Sequence, residues 1–528
     1  MTTRPLGAQI SHMLKSRGVE TIFGIPGVHN QEMYRGIEEA GITHILARHE
    51  QGAGFMADGY ARASGKPGIA YVITGPGLCN IMTPIGQAYS DSVPMLVISS
   101  CLDETAARRG QLHQMKDQEG AARAVADWSE TALTAQAAYD LIDRAMTEFA
   151  LGRARPKHLS VPIRLLQGMA EAAPSAPTRP SARPGTAPDV AAAVEVLRAA
   201  RRPLIVAGGG ATKAAAALNR LREVTGAATF TTYAGRGIFT PGTPLHYGNF
   251  LARPGSADEI AKADVVLAIG TELSQVDLWR DHLGHMGKMI RVDIDAEVLS
   301  DLSRADITLA GDAAAVAEAL CAALGKPVQS LWTQAEIDAA RDRWRREVDG
   351  QLPGIGAICD ALRACLPKDT MIFSDMTQFA YNANEIWELE APGLWHHPSG
   401  FGTLGYALPA AIGGAVARPG LPTMCVAGDY GFQYTLPELG VAVELGLPLP
   451  ILLWDNGKLK EIEDSMVRSQ IAPNAVVARN PDFCALARAY GAGAQEPQSL
   501  GALTKAVNAA FAASGPTLIR VTPDLLGG

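Results

Sequence analysis

The sequence of 528 residues is poor in cysteine and in positive charge, and each shortage excludes a class of protein. Its seven cysteines are scattered without a Cys-x-x-Cys pair, which argues against a disulfide framework or a zinc site. The formal net charge of −8 offers no basic surface for a nucleic acid. No apolar run reaches the ~18 residues that cross a membrane, and the first residues lack the apolar core of a signal peptide. We therefore expect a cytoplasmic protein with neither a membrane nor a nucleic acid as partner.

Apolar residues make up 47% of the chain, which is enough for sizeable cores. The length predicts about three domains of ~150 residues each. Helical and strand patterns alternate in each third of the chain, and such alternation predicts parallel sheets covered on both faces. The predicted fold class is α/β, with three Rossmann-like parallel-sheet domains. The predicted divisions are a first domain (1–169), a linker rich in proline and alanine (170–189), a central domain (190–325), a connecting segment (326–353) and a third domain (354–528).

Two apolar strands near the C-terminus end in polar residues. The strand predicted over 421–427 stops at Gly428-Asp429, and the strand predicted over 449–454 stops at Asp455-Asn456. Ligands bind at the carboxyl ends of parallel strands, so Asp429 and Asn456 are expected side by side. A carboxylate, an amide oxygen and a main-chain carbonyl, for which Lys458 is the candidate, suit Mg²⁺ or Ca²⁺, with a diphosphate completing the octahedron. The helix predicted after Asp429 would add backbone N–H groups for the phosphates.

These residues resemble a known motif. The run from Gly428 to Gly431, with Asn456 following Asp429 by 27 residues, resembles the diphosphate–metal motif of thiamine-diphosphate (ThDP) enzymes, although Tyr430 stands where the usual motif has glycine. The run from His49 to Arg62 closely resembles the pyrimidine-domain signature of the acetolactate synthase-like ThDP family. Glycine turns at 24–27 and 74–77 stand before and after it at the family's places.

The resemblance implies roles for single residues. Glu50 would hydrogen-bond N1′ of the cofactor's aminopyrimidine, whereas on its own a glutamate in a first helical turn only complements the helix dipole. Leu404 would wedge between the two cofactor rings, and the backbone of Gly402 would take the 4′-amino group. The cofactor-binding residues implied in this way are Gly27, Gly75, Gly402, Leu404, Gly428, Asp429, Tyr430, Gly431, Asn456 and Leu459.

The resemblance also bears on assembly and on the central domain. In this family the cofactor lies between the first domain of one subunit and the third domain of its partner, which implies a homodimer with shared active sites, or a dimer of dimers (a homotetramer). The central domain binds FAD in some members and nothing in others. The triplet Gly208-Gly209-Gly210 does not match Gly-x-Gly-x-x-Gly. A tight strand–helix turn is the preferred interpretation of these glycines, and FAD is the less favoured alternative.

Two groups of residues are candidates for contact with substrate. His113 and Gln114 occupy the place where family members present side chains to the substrate, and either could bind the carboxylate of a 2-oxo acid or move protons. His113 is equally well explained as an ordinary histidine. Glu461, Glu463 and Asp464 form an acidic cluster on a predicted helix after the metal motif. Such a cluster would clamp a cationic substrate tail, ideally a guanidinium, or would form a solvated helix face.

The segments around Gly428 and Leu449 look most like those of 5-guanidino-2-oxopentanoate (2-ketoarginine) decarboxylases, relatives of acetolactate synthase that act in arginine breakdown. The predicted activity is therefore that of a carboxy-lyase. It is the ThDP- and Mg²⁺-dependent, non-oxidative decarboxylation of a small 2-oxo acid, with 2-ketoarginine as lead substrate and 4-guanidinobutanal and CO₂ as products. The alternatives are an acetolactate synthase-like carboligase, a decarboxylase of another 2-oxo acid such as benzoylformate, and a homologue that binds the cofactor without catalysis.

Overall fold

The computed structural model describes residues 3–103, 109–176, 189–301 and 305–526. Within these ranges the chain forms three parallel sheets of five or six strands flanked by helices. This arrangement confirms the predicted α/β class with three Rossmann-like domains. In the same ranges, no helix is both long and apolar enough to span a bilayer.

The first domain carries a six-stranded sheet. Its elements are β1 (Arg4–Pro5), α1 (Leu6–Ser16), β2 (Thr21–Gly24), α2 (Gln31–Glu39), β3 (Thr43–Leu46), α3 (Glu50–Ser64), β4 (Gly68–Val72), α4 (Pro76–Ser90), β5 (Met95–Cys101), α5 (Gln118–Arg123), β6 (Trp128–Thr131), α6 (Ala135–Leu151), β7 (Lys157–Pro162), α7 (Ile163–Gln167) and β8 (Met169–Ala170). The strands are parallel in the order β3-β2-β4-β5-β7-β6. A short antiparallel ribbon of β1 and β8 joins the two ends of the domain.

The central domain carries a five-stranded parallel sheet. Its elements are α8 (Ala191–Ala199), β9 (Pro203–Ala207), α9 (Ala215–Thr225), β10 (Ala228–Thr231), α10 (Ser256–Ile260), β11 (Val265–Ile269), α11 (Gln275–Leu278), β12 (Lys288–Asp293), α12 (Ala296–Leu299), β13 (Ile307–Ala310) and α13 (Ala313–Leu324). The strand order is β10-β9-β11-β12-β13. Helix α14 (Gln334–Gln351) follows, within the predicted connecting segment. Most of the predicted linker, residues 177–188, lies outside the described ranges.

The third domain carries another six-stranded sheet. Its elements are α15 (Ile355–Cys365), β14 (Met371–Ser374), α16 (Gln378–Ile386), β15 (Trp395–His396), α17 (Ala407–Ala417), β16 (Thr423–Gly428), α18 (Asp429–Tyr434), α19 (Leu439–Glu444), β17 (Pro450–Trp454), α20 (Lys460–Arg468), α21 (Phe483–Ala489), β18 (Gly493–Gln495), α22 (Leu500–Phe511) and β19 (Thr517–Val521). The strands are parallel in the order β15-β14-β16-β17-β19-β18. After α18 the chain forms a 3₁₀ turn, Leu436–Glu438, which is followed by α19.

Helices α3 and α17 join the first and third domains through small residues. A Cβ atom on Gly59 of α3 would overlap the backbone of Ala410, and one on Gly413 of α17 would overlap the backbone of Met56. The two helix backbones therefore touch, and one apolar core continues from the first domain into the third. Helix α3 begins at Glu50, so this contact fixes where that residue lies relative to the third domain.

Candidate active site

The predicted metal ligands lie on neighbouring loops of the third sheet. Strands β16 and β17 pair with Gly428 opposite Trp454, so Asp429 and Asp455 leave the same edge side by side. The Oδ2 atom of the buried Asp429 accepts a hydrogen bond of 2.8 Å from the backbone N–H of Gly457, and its Oδ1 atom accepts one of 2.9 Å from Tyr430. The strand-end rule thus brings the loop of Asn456 onto Asp429, as the sequence predicts.

Asn480 is a residue of this site that the sequence did not indicate. Its Nδ2 atom donates to Asp429 Oδ2 over 2.6 Å and to Asp455 Oδ1 over 2.8 Å. Asp455 also forms an ion pair of 2.6 Å with Arg520. One amide group therefore holds two carboxylates in place at the strand ends. No sequence signal marks this role, because Asn480 follows Asp429 by 51 residues in a loop without a motif.

The turn after Asn456 is held by backbone pairing. The N–H of Lys458 donates to Asn456 Oδ1 over 3.2 Å, and the N–H of Leu459 donates to the carbonyl of Val476 over 2.8 Å. Asn456 also donates through Nδ2 to Gln378 Oε1 over 3.4 Å. These contacts orient the amide oxygen of Asn456 toward the turn that carries the Lys458 carbonyl. The predicted metal-binding role of Lys458 and cofactor-binding role of Leu459 remain predictions.

A third buried carboxylate, Asp375, lies at the end of the adjacent strand β14. Its Oδ2 atom accepts a hydrogen bond of 2.9 Å from the N–H of Gly405, and its Oδ1 atom accepts one of 2.8 Å from Met376. Burial raises the pKa of Asp375 to about 7, against the lowering effect of its backbone hydrogen bonds. A Cβ atom on Gly431 would overlap this carboxylate, so the glycine of the predicted motif is required here by packing.

Asp375 anchors the loop that carries Leu404. Gly402 and Gly405 flank this residue with φ angles of 66° and 84°, the left-handed region that favours glycine. Leu404 is half-buried in the loop between β15 and α17 and is not part of a helix. This geometry fits the predicted wedge, because bends at two glycines and a buried carboxylate hold the apolar side chain at the edge of the sheet. That role is still a prediction.

Glu50 begins α3 and is nearly buried, with 9% of its surface exposed. Its Oε2 atom accepts a hydrogen bond of 2.9 Å from Asn80 Nδ2 on α4. Its Oε1 atom lies 3.4 Å from the position that a Cβ on Gly77 would take, so a glycine at this point leaves room beside the carboxylate. Asn80 is a second site residue that the sequence did not indicate.

Glu438 of the third domain supports the turn that presents Glu50. Its carboxylate accepts the backbone N–H groups of Arg48, over 3.1 Å, and of His49, over 2.9 Å. Burial raises the pKa of Glu438 to about 7, and the charge of Glu50 contributes in the same direction. A Cβ on Gly52 would overlap the Oε1 atom of Glu438, so this carboxylate packs directly against the helix backbone.

The remaining candidates of the first domain lie at the same sheet edge as Glu50. Gly75 has a φ angle of 69°, and a Cβ there would overlap the carbonyl of His113. Its N–H donates to Gln118 Oε1 over 3.0 Å. Gly27 donates its N–H to Asn30 Oδ1 over 2.7 Å. Gln114 accepts a hydrogen bond of 3.2 Å from the N–H of Gln111 through its side chain, within its own turn.

Helix α20 carries the acidic cluster, and each of its three carboxylates forms an ion pair within the same segment. Glu461 pairs with Arg468 over 2.8 Å, Glu463 with Lys458 over 3.0 Å, and Asp464 with Lys460. The hydrogen bond from Lys458 is the main cause that lowers the pKa of Glu463. The i, i+4 pairing of Lys460 and Asp464 agrees with the helical spacing in the sequence. A cationic ligand would have to compete with these partners, of which Arg468 is exposed and the two lysines are partly buried.

The glycine triplet of the central domain has a packing role. A Cβ on Gly208 would overlap the carbonyl of Gly270, and a Cβ on Gly210 would lie 3.1 Å from the Cα atom of Gly270. The two backbones therefore approach too closely for side chains, which agrees with the tight turn preferred from the sequence.

The donor set at the third-domain edge fits a hard divalent cation that carries a diphosphate. Burial raises the pKa of the Asp429 carboxyl, so a bound cation would favour its ionised form. The described residues contain no group of three or more His, Cys, Asp and Glu side chains that could hold a metal by themselves. One carboxylate, one amide oxygen and one carbonyl leave coordination positions for phosphate oxygens, as Mg²⁺ sites commonly do.

Three parallel-sheet domains with these strand-end residues define a ThDP enzyme, and the chain belongs to the thiamine pyrophosphate enzyme family. Models of that family's domains match in order: the N-terminal TPP binding domain over residues 4–121, the central domain over 190–320 and the C-terminal TPP binding domain over 375–521. The chain is therefore a ThDP-dependent enzyme that acts on 2-oxo acids.

Comparison with curated proteins gives relatives along almost the whole chain. The probable 2-ketoarginine decarboxylase AruI of Pseudomonas aeruginosa is 44% identical over 530 residues, which cover 98% of this chain and 94% of the relative. The acetolactate synthase isozyme 2 large subunit of Escherichia coli is 28% identical and covers 98% of this chain and 96% of its own. The acetolactate synthase large subunit of Parasynechococcus marenigrum is 29% identical, and the alignment covers 97% of this chain and 86% of that relative.

Proposed function

We propose that this enzyme is a ThDP- and Mg²⁺-dependent decarboxylase of a 2-oxo acid, with 5-guanidino-2-oxopentanoate as its lead substrate and arginine breakdown as its setting. The observation that carries the proposal is the 44% identity to a probable 2-ketoarginine decarboxylase, against 28% and 29% to acetolactate synthases. These alignments cover similar shares of the chain, so the higher identity to the decarboxylase does not result from a shorter alignment.

The third domain would hold the metal and the diphosphate. Asp429, Asn456 and the carbonyl of Lys458 would bind Mg²⁺, while Asn480 keeps the Asp429 carboxylate oriented through its 2.6 Å hydrogen bond. A partner that orients a metal ligand commonly tunes metal affinity. The same reasoning assigns Asp375 to the support of the Leu404 loop, since its carboxylate accepts the N–H of Gly405.

The first domain would supply the proton chemistry. When bound, the cofactor supplies a nucleophilic carbon and an electron sink for the loss of CO₂. Glu50 would hold a proton at the aminopyrimidine N1′, and its hydrogen bond from Asn80 fixes which carboxylate oxygen is turned toward α4. In the proposed assembly, a homodimer or a dimer of dimers, Glu50 and Asp429 of one site come from different subunits.

The acidic helix α20 would recognise the substrate tail. Glu461 is the best placed of its three carboxylates for an incoming guanidinium, because its partner Arg468 already presents that group and is 63% exposed. A substrate guanidinium would take the place of Arg468 on Glu461. An exposed ion pair contributes only about 0–1 kcal/mol, so this exchange costs little.

The proposed tail recognition is tested with a matched pair of substrates, 5-guanidino-2-oxopentanoate and its neutral isostere 5-ureido-2-oxopentanoate. We expect kcat/KM to favour the guanidino acid, and Glu461→Gln to reduce that preference while leaving the ureido acid unaffected. Glu297→Gln, on α12 of the central domain, is the control carboxylate substitution. Equal kcat/KM values for the two acids in the unmodified enzyme would overturn the proposed substrate.

A carboligase of the acetolactate synthase type is the second candidate, because relatives with that name align over 97–98% of this chain. Such an enzyme would join the decarboxylated substrate to a second 2-oxo acid and would not release an aldehyde. Acetolactate formed from pyruvate, with the guanidino acid inert, would establish it.

A further inference from the structure

The loop that carries Leu404 is held from two domains. This segment, the Leu404 loop (residues 397–406), connects β15 to α17. Within the third domain it is held at Gly405, whose N–H donates to Asp375 and whose carbonyl accepts a hydrogen bond of 2.9 Å from Thr435. The first domain of the same chain supplies further contacts.

Three hydrogen bonds join the Leu404 loop to side chains on or next to α3 and α4. They run from the N–H of Gly400 to Asp91 (2.9 Å), from the hydroxyl of Thr403 to Gln87 (3.0 Å) and from the hydroxyl of Tyr406 to Asp58 (2.7 Å). The bonds of Thr403 and Tyr406 are buried, where the loss of a partner costs more than at the surface. The first domain therefore holds the loop on both sides of Leu404.

Arg62 joins the acceptors of two of these bonds. Its Nε atom donates to Asp58 Oδ1 over 2.6 Å, and its Nη2 atom donates to Asp91 Oδ2 over 2.8 Å. Gln87 also donates to Asp91 Oδ2 over 2.8 Å. These four side chains form one hydrogen-bonded group, the Arg62 cluster (Asp58, Arg62, Gln87 and Asp91). The group is enclosed between the domains, since even the side chains of Arg62 and Asp91 are only 13% and 10% exposed.

The charge of Arg62 keeps the carboxylates of the cluster suited to accept hydrogen bonds. Burial raises the pKa of the Asp91 carboxyl, and the charge and hydrogen bond of Arg62 oppose that rise. Without this cation, Asp58 and Asp91 would repel each other and one of them would tend to take up a proton. A protonated carboxyl is a weaker acceptor for the N–H of Gly400. The acceptors that hold the loop therefore depend on Arg62.

The Leu404 loop also packs directly on α4. A Cβ on Gly400 would lie 2.6 Å from the Cβ of Ser90, and a Cβ on Gly86 would lie 2.8 Å from the ring of Phe401. Contacts this short leave no space for a side chain at either glycine. The loop is in close contact with the helix, and the hydrogen bonds of the Arg62 cluster fix where it lies along that helix.

The cluster gives a role to the second half of the run from His49 to Arg62. Glu50, the first residue of α3, is the one proposed to serve the cofactor. Asp58 and Arg62 lie further along the same helix, and the proton chemistry proposed above does not use them. Their contacts reach the loop of the third domain that carries the other proposed cofactor contact, Leu404.

We propose that the Arg62 cluster positions the Leu404 loop, so that the first domain determines where the Leu404 side chain lies in the cofactor site of the third domain. The members of the cluster are positioning residues, because they act through Gly400, Thr403 and Tyr406. This inference rests on the wedge role of Leu404 in the proposed function. A displacement of about 1 Å in a group that aligns reactants can cost about 10²-fold in rate, so loss of these contacts should lower kcat and leave KM unchanged.

The test removes single hydroxyl groups, since replacing Arg62 would leave two buried carboxylates without their cation and would destabilise the fold. The variants are Tyr406→Phe and Thr403→Val, with Thr403→Ser to restore the hydroxyl. Tyr247→Phe is the control. This buried tyrosine of the central domain also donates to a buried carboxylate, that of Glu259, over 3.1 Å.

The first measurement is hydrogen–deuterium exchange of the backbone over residues 399–406, followed by mass spectrometry in the cofactor-free protein. It reports the opening of the loop and needs neither cofactor nor turnover. The second is kcat and KM for CO₂ release from 5-guanidino-2-oxopentanoate by the ThDP- and Mg²⁺-loaded enzyme. The affinity for ThDP and the melting temperature are measured for every variant.

We expect the loop to exchange about 2–10-fold faster in Tyr406→Phe and in Thr403→Val, since each loses one buried hydrogen bond. In the same variants kcat should fall about 10–100-fold, at unchanged KM and ThDP affinity. Thr403→Ser should restore both loop exchange and kcat. Tyr247→Phe should lower the melting temperature without changing either.

Unchanged loop exchange in Tyr406→Phe and Thr403→Val would overturn the role of the cluster in holding the loop. Faster exchange with unchanged kcat, or the same loss of kcat in Tyr247→Phe, would overturn its role in positioning. Unchanged kcat in Leu404→Ala would overturn the wedge, and the positioning role with it. If the unmodified enzyme releases no CO₂ from the guanidino acid, the proposed substrate is wrong, and kcat is measured with a 2-oxo acid that is turned over.

Discussion

The contact between Glu438 and Gly52 predicts that Gly52→Ala destabilises the unmodified protein but slightly stabilises a protein that already carries Glu438→Ala. Gly52→Ala places a methyl group on the Oε1 atom of Glu438, so the carboxylate must leave the N–H groups of Arg48 and His49. Losing these two partly buried hydrogen bonds to a carboxylate costs about 1–3 kcal/mol each. Alanine gains up to about 1 kcal/mol over glycine in a helix. Gly52→Ala should therefore destabilise the enzyme by about 1–5 kcal/mol.

In a Glu438→Ala background the methyl group has space and no hydrogen bond remains to be broken. Gly52→Ala should then stabilise the protein slightly, by the helix preference alone. The assay is thermal unfolding of four proteins: unmodified, each single variant and the double variant. Gly501→Ala, in the first turn of α22 with open space around it, is the control and should be slightly stabilising in both backgrounds. A lower melting temperature for Gly52→Ala in both backgrounds would refute this account of the contact.

Three further predictions concern single residues of the site. Glu50→Gln should keep cofactor affinity but reduce kcat by about 10²–10⁴-fold, measured by titration with ThDP and by CO₂ release; retained turnover would remove Glu50 from the chemistry. Asn480→Leu should weaken Mg²⁺-dependent ThDP binding about 10-fold or more, because the proposed metal ligand Asp429 loses its 2.6 Å donor; unchanged affinity would contradict that role. The pKa of Glu438 is raised to about 7 in the folded protein, so its contribution to stability is present in acid and lost as the pH rises through about 7. Glu438→Gln should therefore lower the melting temperature less at pH 8 than at pH 5. A difference in melting temperature between the two proteins that grows with pH would contradict the raised pKa of Glu438.

The sequence predicted those parts of the site that follow from strand ends and from motifs. Asp429 and the loop of Asn456 meet because neighbouring parallel strands end at one edge, which the apolar runs before them already indicate. Asp375 directly follows the buried strand β14 (Met371–Ser374), so the same rule could have found it. The position of Leu404 in a loop could also be anticipated, since Gly402 and Gly405 flank it.

The supporting contacts could not be predicted, because they join residues far apart in the chain. Asn480, Asn80 and Glu438 each reach the site from an element that no motif marks. Their roles depend on the packing of α3 against α17 and on loop paths that local patterns do not specify. In the acidic cluster, Lys460 and Asp464 have the i, i+4 spacing that brings side chains together on a helix, but no local pattern indicates that Arg468 would pair with Glu461.

The most direct test of the proposed activity is CO₂ release with identification of the products. The protein, ThDP and Mg²⁺ are offered 5-guanidino-2-oxopentanoate, pyruvate, 2-oxoisovalerate and benzoylformate in parallel. We expect rapid conversion of the guanidino acid to 4-guanidinobutanal and slow turnover of the other three acids. Acetolactate from pyruvate, with the guanidino acid inert, would contradict the account and identify a carboligase.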